Sequence, residues 1–485
     1  MNRVLPILHV FALVVMVFSF TMLLPLLVAV FDHEPAIPAF RSGFLVTLGV
    51  GAVLWLATRH RRRELQVRDG FLLVSLVWTG LPAFAAIPLM LYLPQLGFTD
   101  AYFESVSGLT TTGATVLSGL DQLPFALNLW RSELVWVGGM GLIVLAVAIL
   151  PLLGIGGRQM FRAETPGPMK ESQLTPRIAQ TAKGLWLVYA LFTLLCALAY
   201  WVAGMGAEDA VIHAFSTMGL GGFSSHDASF GYFHSLPVEI VAEIFMLIAG
   251  INFSTHFLAL RGLNLRPYRL DSEAHAFLAV TLSSCLGIAL FLWLKGTYGN
   301  FWEALRYASF NTISIATSTG FADTDYNLWP VFAPLWMLLL SCFASSSGST
   351  GGGIKMIRAM LLFKQGLREL TRLLHPHALL PVKVRGQVIP NTIIYAVLAY
   401  LSLYLTSAVA MTLLLTASGL DFLSSVSAVI ASLNNTGPGL AKVGPATTYA
   451  ALTDFQTWVC TAAMLLGRLE LMTLLVLFTP AFWRS

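Results

Sequence analysis

Ten apolar runs in this chain are long enough to cross a bilayer. They lie near residues 7–30, 42–58, 71–93, 130–153, 184–204, 237–260, 274–295, 331–361, 391–416 and 447–482. Roughly 20 apolar residues in a helix cover the hydrocarbon core, so each reads as a membrane span. Between them lie four shorter semi-apolar segments, near 100–112, 208–221, 303–319 and 421–436, each too short to cross. The composition agrees: 56% of the 485 residues are hydrophobic and 11% charged, against about a quarter charged in a soluble domain. An ordinary globular protein is excluded, and an all-α polytopic membrane protein is expected. The first run lacks a small-residue cleavage site and reads as a span rather than a removable signal. Cys196, Cys285, Cys342 and Cys460 each sit singly in an apolar run, which favours burial over a disulfide or metal site.

The charges set an orientation. The connections at 59–70, 154–183, 261–273 and 355–390, with both termini, hold 22 of the 28 Lys and Arg residues. Arg41, Arg131, Lys295, Arg306 and Lys442 fall on the opposite side, and Arg468 falls within a run. By the positive-inside rule the basic loops and both termini are cytoplasmic, and the four short segments dip into the membrane from outside.

Each dip ends in a polar, glycine-centred stretch: "SGLTTTGATV" at 107–116, "STMGLGGFSSHD" at 216–227, "IATSTGFADTD" at 315–325 and "SLNNTGPGLAKVG" at 432–444. They align on Gly113, Gly222, Gly320 and Gly437. A carboxylate stands near the start of each dip (Asp100, Asp209, Glu303, Asp421), where it suits a helix N-terminus. Irregular backbone is tolerated at membrane depth only where it lines a watery path or is buried in protein. Strands without carboxylates, thiols or imidazoles offer carbonyl and hydroxyl oxygens, which can replace the water around a monovalent cation. Small residues also let membrane helices pack closely. Four stretches in register, each on the outer side after a sub-spanning dip, favour a ring around one pore.

These residues resemble the TrkH branch of the TrkH/KtrB/HKT potassium transporter superfamily over essentially the whole chain. The likeness rests on four helix–P-loop–helix repeats, with "TTTG", "LGG", "STG" and "NNTG" at the filter positions, and two additional N-terminal spans. It divides the chain into leading helices (1–70) and pore repeats at 71–183, 184–273, 274–390 and 391–485. It implies K⁺ uptake through a channel-like pore, with K⁺ held at Thr111, Thr112, Gly113, Leu220, Gly221, Gly222, Ser318, Thr319, Gly320, Asn435, Thr436 and Gly437. Glycine at all four aligned positions favours K⁺ over Na⁺ by the same likeness, while "GLGG" departs from the Thr-Gly pattern at Leu220. The resemblance further implies a homodimer in the cell inner membrane, in contact with lipid, working with a cytosolic TrkA-like nucleotide-binding subunit. No organic cofactor and no nucleic-acid partner is expected.

Two further features of the sequence stand out. Ser345, Ser346, Ser347, Gly348, Ser349, Thr350, Gly351, Gly352 and Gly353 interrupt the apolar run at 331–361, and such a stretch is a poor lipid-facing helix. The family holds an intramembrane gate at this place; a helix–helix contact surface is the alternative. Arg468 is costly at mid-span and calls for a wet path or a partner. The family's arginine in this span points into the pore, whereas a cap on backbone carbonyls is the structural alternative. His213, His256, Glu239 and Glu243 read as satisfied interior polar groups. A K⁺/H⁺ or K⁺/Na⁺ symporter is the competing mechanism, but the sequence offers no cluster of intramembrane carboxylates to carry a coupled ion. There is no HExxH, and "GSTGGGIK" lacks the spacing of a phosphate loop.

Overall fold

The computed structural model describes residues 4–60, 65–141, 178–378, 380–384 and 387–484. The end of the expected span at 130–153 and most of the basic connection at 154–183 lie outside these residues. Helix α1 (Val4–Ser19) continues through a 3₁₀ turn into α2 (Leu23–Phe31), followed by α3 (Ile37–Thr58). α1 packs against α3 and against α4 (Val67–Tyr92). A common order of elements then recurs. α4 leads to α5 (Phe98–Leu109) and α6 (Phe125–Gly139). α7 (Ile178–Val202) leads to α8 (Ala207–Gly219), α9 (Leu236–Ala249) and α10 (Phe253–Gly262). α11 (Ser272–Leu294) leads to α12 (Phe301–Ala316), α13 (Phe332–Phe343) and α14 (Met356–Leu374). Last, α15 (Asn391–Ala417) leads to α16 (Phe422–Leu433) and α17 (Asp454–Arg468).

The four short helices α5, α8, α12 and α16 have 12, 13, 16 and 12 residues. At about 1.5 Å per residue they cover roughly 18–24 Å, less than the hydrocarbon core. Their first turns fit the positive end of a helix dipole. Asp421 caps α16 by accepting the Ser424 N–H at 2.9 Å. Asp100, Glu208, Asp209 and Glu303 stand in the first turns of the others, with Asn300 as the side-chain cap of α12.

Not every expected span is one unbroken helix. Six described helices are long and apolar enough to cross; two further pairs, α9 with α10 and α17 with Met472–Phe478, bend by 92° and 106°. α13 stops at Phe343, and the chain resumes as a helix only at Met356. The breaks fall in the second helix of the repeats, where the backbone is packed inside protein and irregular structure is permitted. The Ser345–Gly353 run marks the break after α13 in the sequence, whereas a hydropathy window averages over the other two because their flanking residues stay apolar.

Apolar clusters wall the molecule, while Leu194 and Leu198 on α7, Leu286 and Leu290 on α11, and Val409 and Leu413 on α15 face outward as a lipid-facing surface does. The centre is polar instead. Thr111, Thr112, Ser318, Thr319, Asn435 and Thr436 are completely buried.

Candidate functional site

Each short helix ends in the same way. The Thr111 N–H donates to the Gly108 carbonyl at 2.9 Å and the Thr112 N–H to the Ser107 carbonyl at 2.8 Å. This pair of bonds is a Schellman cap. It recurs as Leu220 to Thr217 (3.2 Å) and Gly221 to Ser216 (3.0 Å), and as Ser318 to Ile315 (3.0 Å) and Thr319 to Ser314 (2.8 Å). The fourth copy joins Asn435 to Ser432 (3.1 Å) and Thr436 to Ala431 (2.8 Å). Glycine ordinarily takes the left-handed residue of this cap. Here Thr111, Leu220, Ser318 and Asn435 take it, with φ of 57°, 53°, 59° and 52°. A side chain in this conformation costs roughly 1–2 kcal/mol, and such strain persists where the surrounding structure imposes it.

Two residues later the backbone is left-handed again, at Gly113, Gly222, Gly320 and Gly437, with φ of 77°, 63°, 90° and 91°. These glycines close a ring. A Cβ on Gly113 would overlap the carbonyl oxygen of Gly221; one on Gly222, that of Thr319; one on Gly320, that of Thr436; one on Gly437, that of Thr112. The cyclic order is therefore repeat one, two, three, four and back to one. Among the described residues, no protein hydrogen bond ends on the carbonyl oxygens of Thr111, Thr112, Leu220, Gly221, Ser318, Thr319, Asn435 or Thr436. The four glycines open upward, on the side of the short helices' N-termini, into one cavity of about 310 Å³ that His226 and Asp227 also line.

Below the ring lies the Ser345–Gly353 segment, folded as an irregular loop. The Ser346 N–H donates to the Gly250 carbonyl at 3.0 Å, and Thr350 Oγ1 donates to the Met218 carbonyl at 2.9 Å. The Gly352 N–H donates to Ser318 Oγ at 2.7 Å. Glu273 Oε1 accepts from the Ser347 N–H (2.6 Å) and the Ile357 N–H (3.1 Å), bracketing the loop from both ends. Added Cβ atoms at Gly351 and Gly352 would run into the carbonyls of Thr317 and Asn434, where α12 and α16 end. The loop thus fills the space under three of the four strands. Arg468 fastens it further: one nitrogen donates to Thr111 Oγ1 and to the Thr350 carbonyl, both at 3.1 Å, and the other to the carbonyls of Gly138 and Gly139. Arg468 is therefore a carbonyl cap, but one whose acceptors include the loop and the first strand.

A family profile described as TrkH, cation transport protein, matches residues 36–485. The chain belongs to the TrkH family. It is 47% identical to the Trk system potassium uptake protein TrkH of Salmonella typhimurium over 98% of its own length and 99% of that protein's. It is 39% identical to the Trk system potassium uptake protein TrkG of Escherichia coli, covering 98% of each. Its fold matches the crystal structure of the potassium transporter TrkH from Vibrio parahaemolyticus with a TM-score of 0.90 at 44% identity, over 99% of this chain and 100% of that one.

The other polar residues of this TrkH-family chain find partners as the sequence reading expects. His256 meets Tyr268 Oη at 2.6 Å and the Ile248 carbonyl at 2.9 Å. Glu239 holds Arg306 through two bonds of 2.7 Å, and Glu243 accepts from Ser309 Oγ at 2.7 Å. Glu239, paired with Arg306, and Glu243 and Asp323 each bond to a residue of α12, so the structure brings three acidic groups to one helix next to the third strand. Their separation in sequence hides this. The four cysteines are free thiols. Sequence reasoning also missed the pairing of Arg131 with Glu104, two nearly inaccessible charges 2.8 Å apart, although a carboxylate inside a dip was a signal for it.

Proposed function

We propose that this chain carries K⁺ across the cell inner membrane through the central ring, with both termini on the cytoplasmic side. The observation that carries the reading is the set of unbonded, buried carbonyl oxygens at Thr112, Gly221, Thr319 and Thr436, one from each repeat of a closed ring. A buried carbonyl without a protein donor is costly, and a dehydrated monovalent cation is a partner that four converging oxygens suit. The strands contribute no carboxylate, so selection rests on spacing and carbonyl dipoles. The short helices end next to the strands, and the negative ends of their dipoles favour a cation there.

Beneath the ring, the Ser345–Gly353 loop and Arg468 act as the gate. The relatives' names place them in a Trk system, which supports assembly with a cytosolic nucleotide-binding subunit of the TrkA kind and a homodimeric membrane unit. Purified protein in liposomes, loaded with K⁺ and given radioactive Rb⁺ outside, tests the transport reading. External K⁺ should compete strongly and Na⁺ and Li⁺ weakly; equal competition by all three contradicts it. The acidic residues against α12 favour one second reading, proton-coupled uptake. Flux that follows an imposed pH gradient at zero membrane potential would establish it, and flux indifferent to that gradient would leave the passive pore.

A further inference from the structure

A polar tether stands behind every strand, and its chemistry differs in each repeat. Nine residues before the first three ring glycines stand Glu104, His213 and Asn311, all buried. The Glu104 carboxylate accepts from Thr115 Oγ1 at 3.0 Å and from the Val116 N–H at 3.0 Å, two and three residues past Gly113. His213 Nε2 meets Ser224 Oγ at 2.9 Å, two residues past Gly222. Asn311 Nδ2 donates to Asp323 Oδ1, three residues past Gly320. In the fourth repeat the equivalent residue is Ala428, and its neighbour Ser427 takes over, accepting the Leu440 N–H at 2.9 Å, three residues past Gly437. Four unlike side chains thus make one connection, from the middle of the short helix to the upper exit of its own strand. The Schellman cap fixes the lower end of the strand. The tether fixes the upper end, and neither uses a ring carbonyl.

The first repeat adds a crosslink between repeats. Arg131 is 1% exposed. It donates from Nε to Glu104 Oε1 at 2.9 Å and from Nη1 to the Ser224 carbonyl of the second repeat at 3.0 Å, and its guanidinium lies 4.4 Å from the centre of the Phe223 ring. The exits of strands one and two are therefore held by one buried ion pair. Such pairs are weak sources of stability, since apolar replacements of similar volume are often neutral. What this one supplies is a fixed distance between two strands.

We propose that Glu104, His213, Asn311 and Ser427 are positioning residues for ion discrimination, and that the Glu104–Arg131 pair sets how sharply a K⁺-sized ion is told from a Na⁺-sized one. The proposal rests on the reading of the ring as the K⁺ pathway. A carbonyl ring selects between ions of different radius only if its strands keep their spacing, and a strand pinned at one end alone can breathe.

The test compares the whole protein, Glu104→Gln and the double variant Glu104→Met with Arg131→Met, each in liposomes, by Rb⁺ uptake under K⁺ and Na⁺ competition. Both variants should still take up Rb⁺, with the preference for K⁺ over Na⁺ falling roughly tenfold, the scale of one lost charge-assisted hydrogen bond. The double variant removes both charges, so it tests the pair without leaving a buried guanidinium that lacks a counter-charge. A folded double variant with the original preference overturns the proposal, because the pair would then serve stability alone. An unaltered protein with no preference for K⁺ sinks the reading of the ring itself, and this proposal with it.

Discussion

Gly113 is glycine for two separate reasons: its backbone is left-handed at φ 77°, and its missing Cβ makes room for the Gly221 carbonyl. Gly113→Ser should therefore push on a ring oxygen of the next strand and lower the K⁺ over Na⁺ preference about tenfold, read as competition against Rb⁺ uptake; that equals roughly 1.4 kcal/mol of differential ion binding. An unchanged competition profile in folded protein would speak against the ring. The glycines are legible from sequence because they recur in register. The strained residues two positions earlier are not, since threonine, leucine and serine carry no left-handed signal; Asn435 alone is a type that tolerates it. Arg468 was legible as a costly charge, but not its acceptors. As a simple electrostatic barrier, a unit charge about 8 Å from a K⁺ at an effective dielectric near 20 is worth roughly 2 kcal/mol, or about 30-fold in rate. As a latch, its forked donors span the loop, the first strand and the end of α6. Arg468→Ala should raise Rb⁺ flux on either account. Arg468→Lys keeps the charge but not the fork, so the latch predicts flux rising towards the alanine level, and flux equal to that of the unaltered protein would leave charge as the cause.

Among the elements, the Ser345–Gly353 loop is the most informative. Its composition announced that no lipid-facing helix could form, and the structure shows how it is held instead: the Thr350 hydroxyl and two backbone N–H groups bond to Met218, Gly250 and Ser318, in elements that sequence spacing cannot bring together, while the Ser345 and Ser349 hydroxyls bond within the loop. Removing Ser347–Ser349 should open the space under the ring, raising flux several-fold while the order of competing ions stays the same; a lost order would place the loop in the ion-selecting part instead. Above the ring, the exits of repeats one and two are clasped by His226. Its ring lies between Asp121 and Asp209 and stacks on Tyr232 at 3.5 Å, with His213 6.4 Å away. Asp227 beside it accepts from the N–H groups of Gly119 and Leu120. Burial opposes the charge on His226, but the two carboxylates outweigh it and hold its pKa above the ordinary 6.5. Burial likewise pushes Asp121 up, yet its bonds to His226 and the Asp227 N–H leave it below its usual 3.8. A raised histidine contributes its stability in full below pH 6.5 and loses it as pH climbs through the raised value; the lowered Asp121 loses its part only in strong acid. Melting temperature should thus fall above pH 6.5, and His226→Gln should flatten that slope. Parallel slopes for the two proteins would show that the clasp contributes nothing.

For the whole molecule, the fold class was legible because hydrocarbon admits so few solutions: long apolar runs become helices, and four dips in register become a ring. What stayed hidden depends on distant residues meeting. The breaks after α9 and α17, the acids gathered at α12 and the Glu104–Arg131 pair all arise from packing around an axis that no local window detects. If the ring is the ion path, one dehydrated monovalent cation sits among the carbonyls of Thr112, Gly221, Thr319 and Thr436. Crystals grown in Rb⁺ test this most directly, because Rb⁺ is close to K⁺ in size and scatters anomalously. An anomalous peak should lie on the ring axis, within coordination distance of all four oxygens, and vanish when Na⁺ replaces Rb⁺; a well-ordered ring with no peak on its axis would rule the ring out as the ion site.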